Sequence, residues 1–598
     1  MTEPTPLPAH LTGGHFLLGD TDPALIFTPE DLSSEQRLMA GTARKFMDKE
    51  VLPHLEALEH QEPGLAPKLF KQAGELGLIG IEIAEAHGGL GLGKRDSLGV
   101  TEQLSRLGGF GVTCGAHAGI GTQPLAAFGT DGQKAKYLSK LASGEWMAAY
   151  CLSEAGSGSD ALGMKTKAVK TPDGKHYVLN GTKMWITNAG WADLFTVFAK
   201  VDGEHVTAFL VERTTPGVSF GKEEHKLGIK TSSTRRVILE DAKVPVENVL
   251  GEVGKGAYIA FNILNLGRFG LGAGAIGGAK ESIDGAVKYA RERHQFGRPI
   301  LSFGLIQEKI GTMAARVFAA ESAVYRTGAM MDEVMHTGER VPSMNPGIPR
   351  GLEEFAVECS IIKVVCSETL DEVADEALQI HGGYGYTEEF PAARMCRDSR
   401  INRIFEGTNE INRLVLPGTL LRRAQRGRFP LLAAVAKVAK EIFDLAPAEE
   451  TGDALADARA LLGNAKKLAL FLSGVAHQKF GDKLVEEQEV LAVISDLISE
   501  IYLGESATLR ALKARSRGRK TGILADLVVT FVNDSVGRME LRTRDALAVL
   551  STGDELRSYL GIARRLLRWT PRNTTELRRR ISARLGEVGT YAALIAEA

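Results

Sequence analysis

The spacing of apolar residues changes period twice along this chain, and that double change constrains the fold more than any other feature. Ser33 or Ser34 can cap a helix running through SSEQRLMAGTARKFMDKEVLPHL, and helical spacing continues to about Trp146, broken by the GGLGLG run from Gly88 to Gly93. From Tyr150 the period falls to two. Asp173-Gly174, Asn180-Gly181 and Asp202-Gly203 then sit between β-type runs, and such pairs suit two-residue hairpin turns because both central positions need positive φ. Helical spacing returns at Lys255 and, apart from the Pro/Gly-rich HTGERVPSMNPGIPRG, holds to the C-terminus. At 598 residues and 44% hydrophobic the chain is too long for a single core. The pattern predicts a mainly α protein with a central antiparallel β domain. Its expected parts are a lead-in over 1–31, an N-terminal helical domain over 32–147, the β domain over 148–250, a helical bundle over 251–425 and an extra C-terminal helical domain over 426–598.

Composition excludes several function classes. A formal net charge of -2 argues against a general polyanion binder. The basic runs KARSRGRK and TELRRRISAR lack interleaved aromatic residues apart from Trp569, so they read as solvated helix faces, and no nucleic-acid partner is expected. Five cysteines without CxxC spacing read as reduced thiols in a cytoplasm-like compartment, with no metal site. The N-terminus has neither a secretory apolar run nor an Arg-rich transit pattern, and no uninterrupted apolar segment is long enough to span a bilayer.

The densest chemistry lies from Leu378 to Leu414, LQIHGGYGYTEEFPAARMCRDSRINRIFEGTNEINRL. Gly382 and Gly383 end an amphipathic helix there. Glu406 is the only carboxylate between Asn402 and Thr408, and its neighbour Phe405 removes hydration, which raises a carboxyl's proton affinity toward neutral pH. Gly407 leaves the backbone open to a ligand. Gly272, Gly274 and Gly277 satisfy GxGxxG, but no strand precedes them and the β-α-β frame is missing, so helix packing explains them better. TCGAHAGIG, 113–121, is unusually small-sided, which suits either close helix packing, the reading slightly favoured, or room for a long apolar ligand.

Four strings carry a resemblance. QIHGGYGY with RDSRINRIFEGTNEINRL, YCLSEAGSGSDALGMKTKA, KMWITN and RERHQFGRPI together resemble the signatures of the acyl-CoA dehydrogenases. The resemblance implies an N-terminal helical domain, a β domain and a helical bundle, with FAD as cofactor and Glu406 as the base that removes the α-proton of an acyl-CoA. It implies that Leu152, Ser153 and Gly158 hold the flavin, that Ser159 lies where flavin pyrophosphate and CoA approach, that Trp185 covers one flavin face and that Thr187 bonds near N5. Without the neighbouring motifs, Trp185 would read as a core residue on a strand. Arg293, Gln295 and Phe296, with Gln379 and Gly383, would reach FAD bound by a neighbouring subunit, implying at least a dimer; Thr408 and Glu410 would lie over the adenosine side. Arg268 would be buried beside the catalytic loop, and Ser159, Arg268, Phe405 and Gly407 would meet substrate. In related branches the base comes from the position of Gly267, which carries no carboxylate here. Phe405, NILNLGRFG and the extra C-terminal region resemble the very-long-chain branch.

The implied activity is α,β-dehydrogenation of a long-chain acyl-CoA to trans-2-enoyl-CoA, the first step of fatty acid β-oxidation, with an electron-transfer flavoprotein as acceptor. The alternatives are an acyl-CoA oxidase and a non-catalytic assembly member of the family. RGRFPLLAAVAKVAKEIFDL, 426–445, pairs basic residues with an apolar face of Leu431, Leu432, Val435, Val438, Ile442 and Phe443. Burial of that face against its own protein is favoured, and peripheral attachment to the inner face of the membrane is the alternative.

Overall fold

The structure, a computed structural model, describes residues 7–336, 340–341, 348–442 and 450–596. Seven helices form the N-terminal part: α1 (Ser34–Phe46), α2 (Leu55–Glu59), α3 (Leu65–Glu75), α4 (Lys94–Leu104), α5 (Gly108–Ala116), α6 (Gln123–Phe128) and α7 (Asp131–Ala142). Ser33 caps α1 by accepting from the Gln36 N–H while the Gln36 side chain accepts from Ser33, a reciprocal capping box.

The β domain consists of β1 (Ala148–Cys151), β2 (Lys167–Lys170), β3 (His176–Thr187), β4 (Leu194–Val201), β5 (His205–Glu212), β6 (Val218–Phe220), β7 (Thr234–Pro245) and β8 (Val249–Leu250). They form one sheet in the order β6-β7-β3-β2-β4-β5-β8, with β1 also on β4. Two of the three expected hairpins are present, at Asp173-Gly174 between β2 and β3 and at Asp202-Gly203 between β4 and β5. Asn180-Gly181 is not a turn. It lies inside β3, where the register against β7 slips between Leu179 and Gly181, and a Cβ on Gly181 would lie 2.5 Å from Thr166 Oγ1. Nor is the sheet wholly antiparallel. β1 and β2 occupy successive stretches along one edge of β4, both parallel to it, with residues 152–166 looping out between them.

The chain then enters α8 (Gly256–Glu292), the small hairpin β9 (His294–Gln295) and β10 (Arg298–Pro299), and α9 (Gly304–His336). β11 (Arg340–Val341) pairs with β12 (Ile348–Pro349); residues 337–339 and 342–347 of the Pro/Gly-rich stretch lie outside the described residues. Next come α10 (Arg350–Glu354), α11 (Ala356–His381), α12 (Pro391–Ser399) and α13 (Asn409–Gln425). α8 is long and apolar enough to cross a membrane, but it is a core helix, lined by Ile263, Phe269, Ile276 and Val287, all buried.

The C-terminal helices are α14 (Leu431–Glu441), α15 (Ala454–Phe480), α16 (Gln488–Ser516), α17 (Gly522–Leu550), α18 (Gly553–Leu566), α19 (Thr574–Val588) and α20 (Tyr591–Ala596). They share one continuous apolar core with α8, α9 and α11. The lead-in is built into that core from residue 7 onward, with Phe16, Leu17 and Ile26 buried. The basic runs are mostly tied down: Lys513 bonds Asp31, Arg578 bonds Asp534 and Arg580 bonds Asp526. Trp569 donates to Asn533.

Candidate active site

Glu406 and Gly407 both take left-handed backbone conformations, φ 58° and 80°, and so turn the chain sharply into α13. Such strain persists only where the surroundings hold it. Arg268 Nε donates to the Glu406 carbonyl at 3.4 Å, while Asn412 Nδ2 donates to the carbonyls of Gly407 and Thr408 at 2.8 and 3.0 Å. The Arg268 guanidinium is itself buried and also donates to Asn265 Oδ1 at 3.0 Å. This is the buried arginine beside the loop that the sequence predicts.

The Glu406 carboxyl has a buried Oε2 without a hydrogen-bond partner. Desolvation pushes its pKa up to about 7, against the opposing pull of the Arg268 and Lys363 charges. Gly267 makes room for it: a Cβ there would lie 2.4 Å from Oε2. The carboxylate therefore occupies the space that any side chain at 267 would need.

Glu406 and Phe405 open onto a cavity of about 220 Å³. One wall is α5 with the turn after it, and the facing wall is α8 from Leu266 to Gly278. The small-residue stretch divides by face, packing inward on one side and lining the cavity on the other. His117 is fully buried and packs inward, its Nε2 bonding the Leu141 carbonyl and its Nδ1 accepting from the Ala148 N–H. Gly115 and Gly119 line the cavity, and a Cβ on either would meet nothing within 4 Å. In α8, by contrast, a Cβ on Gly272 would strike Ile362 and one on Gly277 the Glu102 carbonyl, both at 2.1 Å, so these glycines are helix-packing residues.

Thr187, at the end of β3, lines the same cavity. Two residues earlier Trp185 has φ 57° and is 57% exposed, so it is not a core tryptophan. Leu152 is buried, Ser153 half-buried, and Gly158 and Ser159 exposed on the 152–166 loop. That loop is stapled to β3 from beneath. Glu154 accepts from Lys183 Nζ at 2.8 Å and from the Lys165 N–H at 2.7 Å, the Leu152 carbonyl accepts from Lys183 Nζ, and the Ser153 carbonyl accepts from the Met184 N–H. A bare glycine-serine loop beside an exposed indole and a cavity-lining threonine fits a flat aromatic cofactor carrying a phosphate.

Arg293, Gln295 and Phe296 lie at the β9–β10 hairpin, Gln379 near the end of α11 and Gly383 just beyond it, and Arg293 links the two regions. Arg293 stacks over Tyr384 at 5.5 Å, and Phe296 is 93% exposed with φ 52°. None of the five lines the cavity of its own chain. Thr408 is the N-cap of α13, accepting from the Ile411 N–H at 3.3 Å, and Glu410 is exposed in the first turn. Sequence reasoning did not single out Lys363, Gln123 or Asp398. The last two line the cavity, and Gln123 Nε2 is buried without a partner.

Fold and site together define the class, an oxidoreductase built of helical domains around a central sheet with a carboxylate facing an apolar cavity. The chain belongs to the acyl-CoA dehydrogenase family, whose N-terminal domain matches residues 33–145, the middle domain 149–242, and two C-terminal domains 254–421 and 464–565. It is 46% identical over 583 residues to a probable acyl-CoA dehydrogenase of Bacillus subtilis, covering 97% of this chain and 98% of that one. It is 40% identical to the mitochondrial very long-chain specific acyl-CoA dehydrogenase of Bos taurus, covering 72% of this chain and 65% of the relative. The crystal structure of an acyl-CoA dehydrogenase complexed with FAD from Bacillus anthracis superposes with a TM-score of 0.95 at 48% identity, covering 97% and 99%.

Proposed function

We propose that the protein dehydrogenates long-chain acyl-CoA thioesters to trans-2-enoyl-CoA, the first step of fatty acid β-oxidation, with Glu406 as the base. The observation that carries this is the unpartnered, desolvated Oε2 of Glu406, set over Gly267 and open to an apolar cavity. The 152–166 loop, Trp185 and Thr187 would hold FAD, which would supply the hydride acceptor. Glu406 takes the α-proton, Arg268 and Asn412 fix the loop that aims it, and the Glu406 backbone N–H is offered to the thioester carbonyl, a donor worth about 3 to 4 kcal/mol when well placed. The apolar walls exclude water and hold the acyl chain.

Glu406→Gln is expected to purify yellow and to stay oxidised when palmitoyl-CoA is added anaerobically. Reduction at the wild-type rate would remove Glu406 from the mechanism. A titration from butyryl-CoA to eicosanoyl-CoA reads chain length, with bleaching expected to favour the long chains. Electrons then pass to an electron-transfer flavoprotein; stoichiometric peroxide during turnover would point to oxygen instead.

The enzyme acts as at least a dimer, a view supported by the outward-facing Phe296 and by the placing of Arg293 over Tyr384, away from the cavity of its own chain, and sedimentation reads it directly. Its place is the cytoplasm. Burial of Val438 and Ile442, with Val435 close to Gly474 of α15, favours α14 as a packed helix over a membrane anchor. Phe443 lies outside the described residues. Flotation of the protein with liposomes tests attachment.

A further inference from the structure

The run VECSIIKVVCS in α11 carries one cation, Lys363, and one carboxyl, Glu358, among apolar and small residues. Its side chain is 0% exposed. Among the described residues its ammonium has no carboxylate within ion-pair distance, and it donates to Asn409 Oδ1 at 2.6 Å. A buried ammonium without a paired anion costs several kcal/mol, so the surroundings must repay it.

Charged groups face Lys363 from each neighbouring element: Glu406 on the loop, Arg268 on α8, Glu368 on α11 itself and Glu410 on α13. Glu368 is committed elsewhere, gripped by both terminal nitrogens of Arg413 at 2.8 and 3.0 Å. Glu410 is exposed and screened. Of these charges Glu406 acts most strongly on Lys363, and only Arg268 and Lys363 act on Glu406 in return. Asn409 completes the link. As the first residue of α13 it stands three positions beyond Glu406, and its amide also donates to Ser367 Oγ at 3.1 Å and Glu368 Oε1 at 3.0 Å.

We propose that Lys363 is a positioning residue for Glu406: its enclosed ammonium anchors the start of α13 through Asn409 and supplies the positive charge that keeps the Glu406 carboxyl ionised before each turnover. The inference rests on Glu406 being the base. Burial lowers Lys363 to about 7, so its charge is itself sensitive to the charge it faces. Once Glu406 has taken a proton the ammonium loses its counter-charge.

Lys363→Met keeps the stem and removes the charge. Without it Glu406 holds its proton to higher pH. The midpoint of the pH profile for anaerobic flavin reduction is expected to rise by about one unit, with about a tenfold loss on the acid side and recovery on the alkaline side. The protonated carboxyl band of Glu406 in infrared titration, identified by its absence in Glu406→Gln, should move by the same amount. An unmoved midpoint, or a loss by the same factor at every pH, overturns the proposal. If Lys363→Met does not fold, Asn409→Asp sets a carboxylate against the ammonium, and the same alkaline shift is expected; its absence is equally fatal. An active Glu406→Gln defeats the base assignment, whereas an inactive Glu406→Gln with an unmoved Lys363→Met midpoint defeats only the role of Lys363.

Discussion

At Glu406 two requirements meet in one place, a carboxyl stripped of water and a neighbour with no side chain. The first sets the pH response. With Glu406 as the proposed base, which must be ionised to act, flavin reduction is expected to rise with pH through about 7 and then level off, which stopped-flow measurements across that range will read. The second sets the geometry. Gly267→Ala would place a Cβ 2.4 Å from Oε2 and 2.9 Å from Ile120 Cγ2, forcing the carboxylate aside. A displacement of about 1 Å costs about a hundredfold in rate, so kcat should fall by that order while FAD content stays normal. Glycine at 267 thus offers no carboxyl at that position and leaves the space that the Glu406 carboxyl fills.

Elements show where local sequence chemistry was sufficient and where it was not. The change of period marked the β domain, and Asp173-Gly174 and Asp202-Gly203 marked real hairpins, because turn chemistry is local even though both loops, 171–175 and 202–204, are longer than two residues. Asn180-Gly181 has the same local chemistry but stands opposite β7 on both sides, with Leu179 paired to Ala242 and Gly181 to Leu239, so tertiary pairing overrode it. Trp185 and Thr187 were legible only through resemblance, since nothing in KMWITN alone says that the ring faces outward. Lys363 left one signal, a cation in an apolar run, but its relation to Glu406 depends on how α11 packs beneath α13. The small-residue face of α5 makes its own prediction. Gly115→Leu fills open cavity rather than packed core, so folding should be nearly unaffected while bleaching by palmitoyl-CoA weakens and that by butyryl-CoA persists. Equal loss for both chains would mean that the acyl tail runs elsewhere.

Across the whole molecule a buried line of charges joins distant parts of the chain. Glu30 pairs with Arg510 at 2.6 Å, Arg510 with Glu321 at 2.6 Å, Glu321 with Lys280, and Lys280 with Glu102 at 2.6 Å, while the Tyr591 hydroxyl donates to Glu321 at 2.9 Å. Arg510→Met would strand Glu30 and take one of two cations from Glu321, and is expected to cost about 3 to 5 kcal/mol, measured by urea unfolding. Arg510 holds Glu30 below the ordinary 4.5, as Lys280 and Arg510 hold Glu321. Their contribution is full above about pH 4.5 and is lost as pH falls through their lower native values, partly offset by Glu102, which burial pushes up. The Glu30–Arg510 contact also spans 480 positions of sequence. A ribosome must therefore deliver most of the protein before the first thirty or so residues find their seat. Until then Phe16, Leu17 and Ile26 lack the partners that bury them, so this segment is open to a chaperone's cover during synthesis.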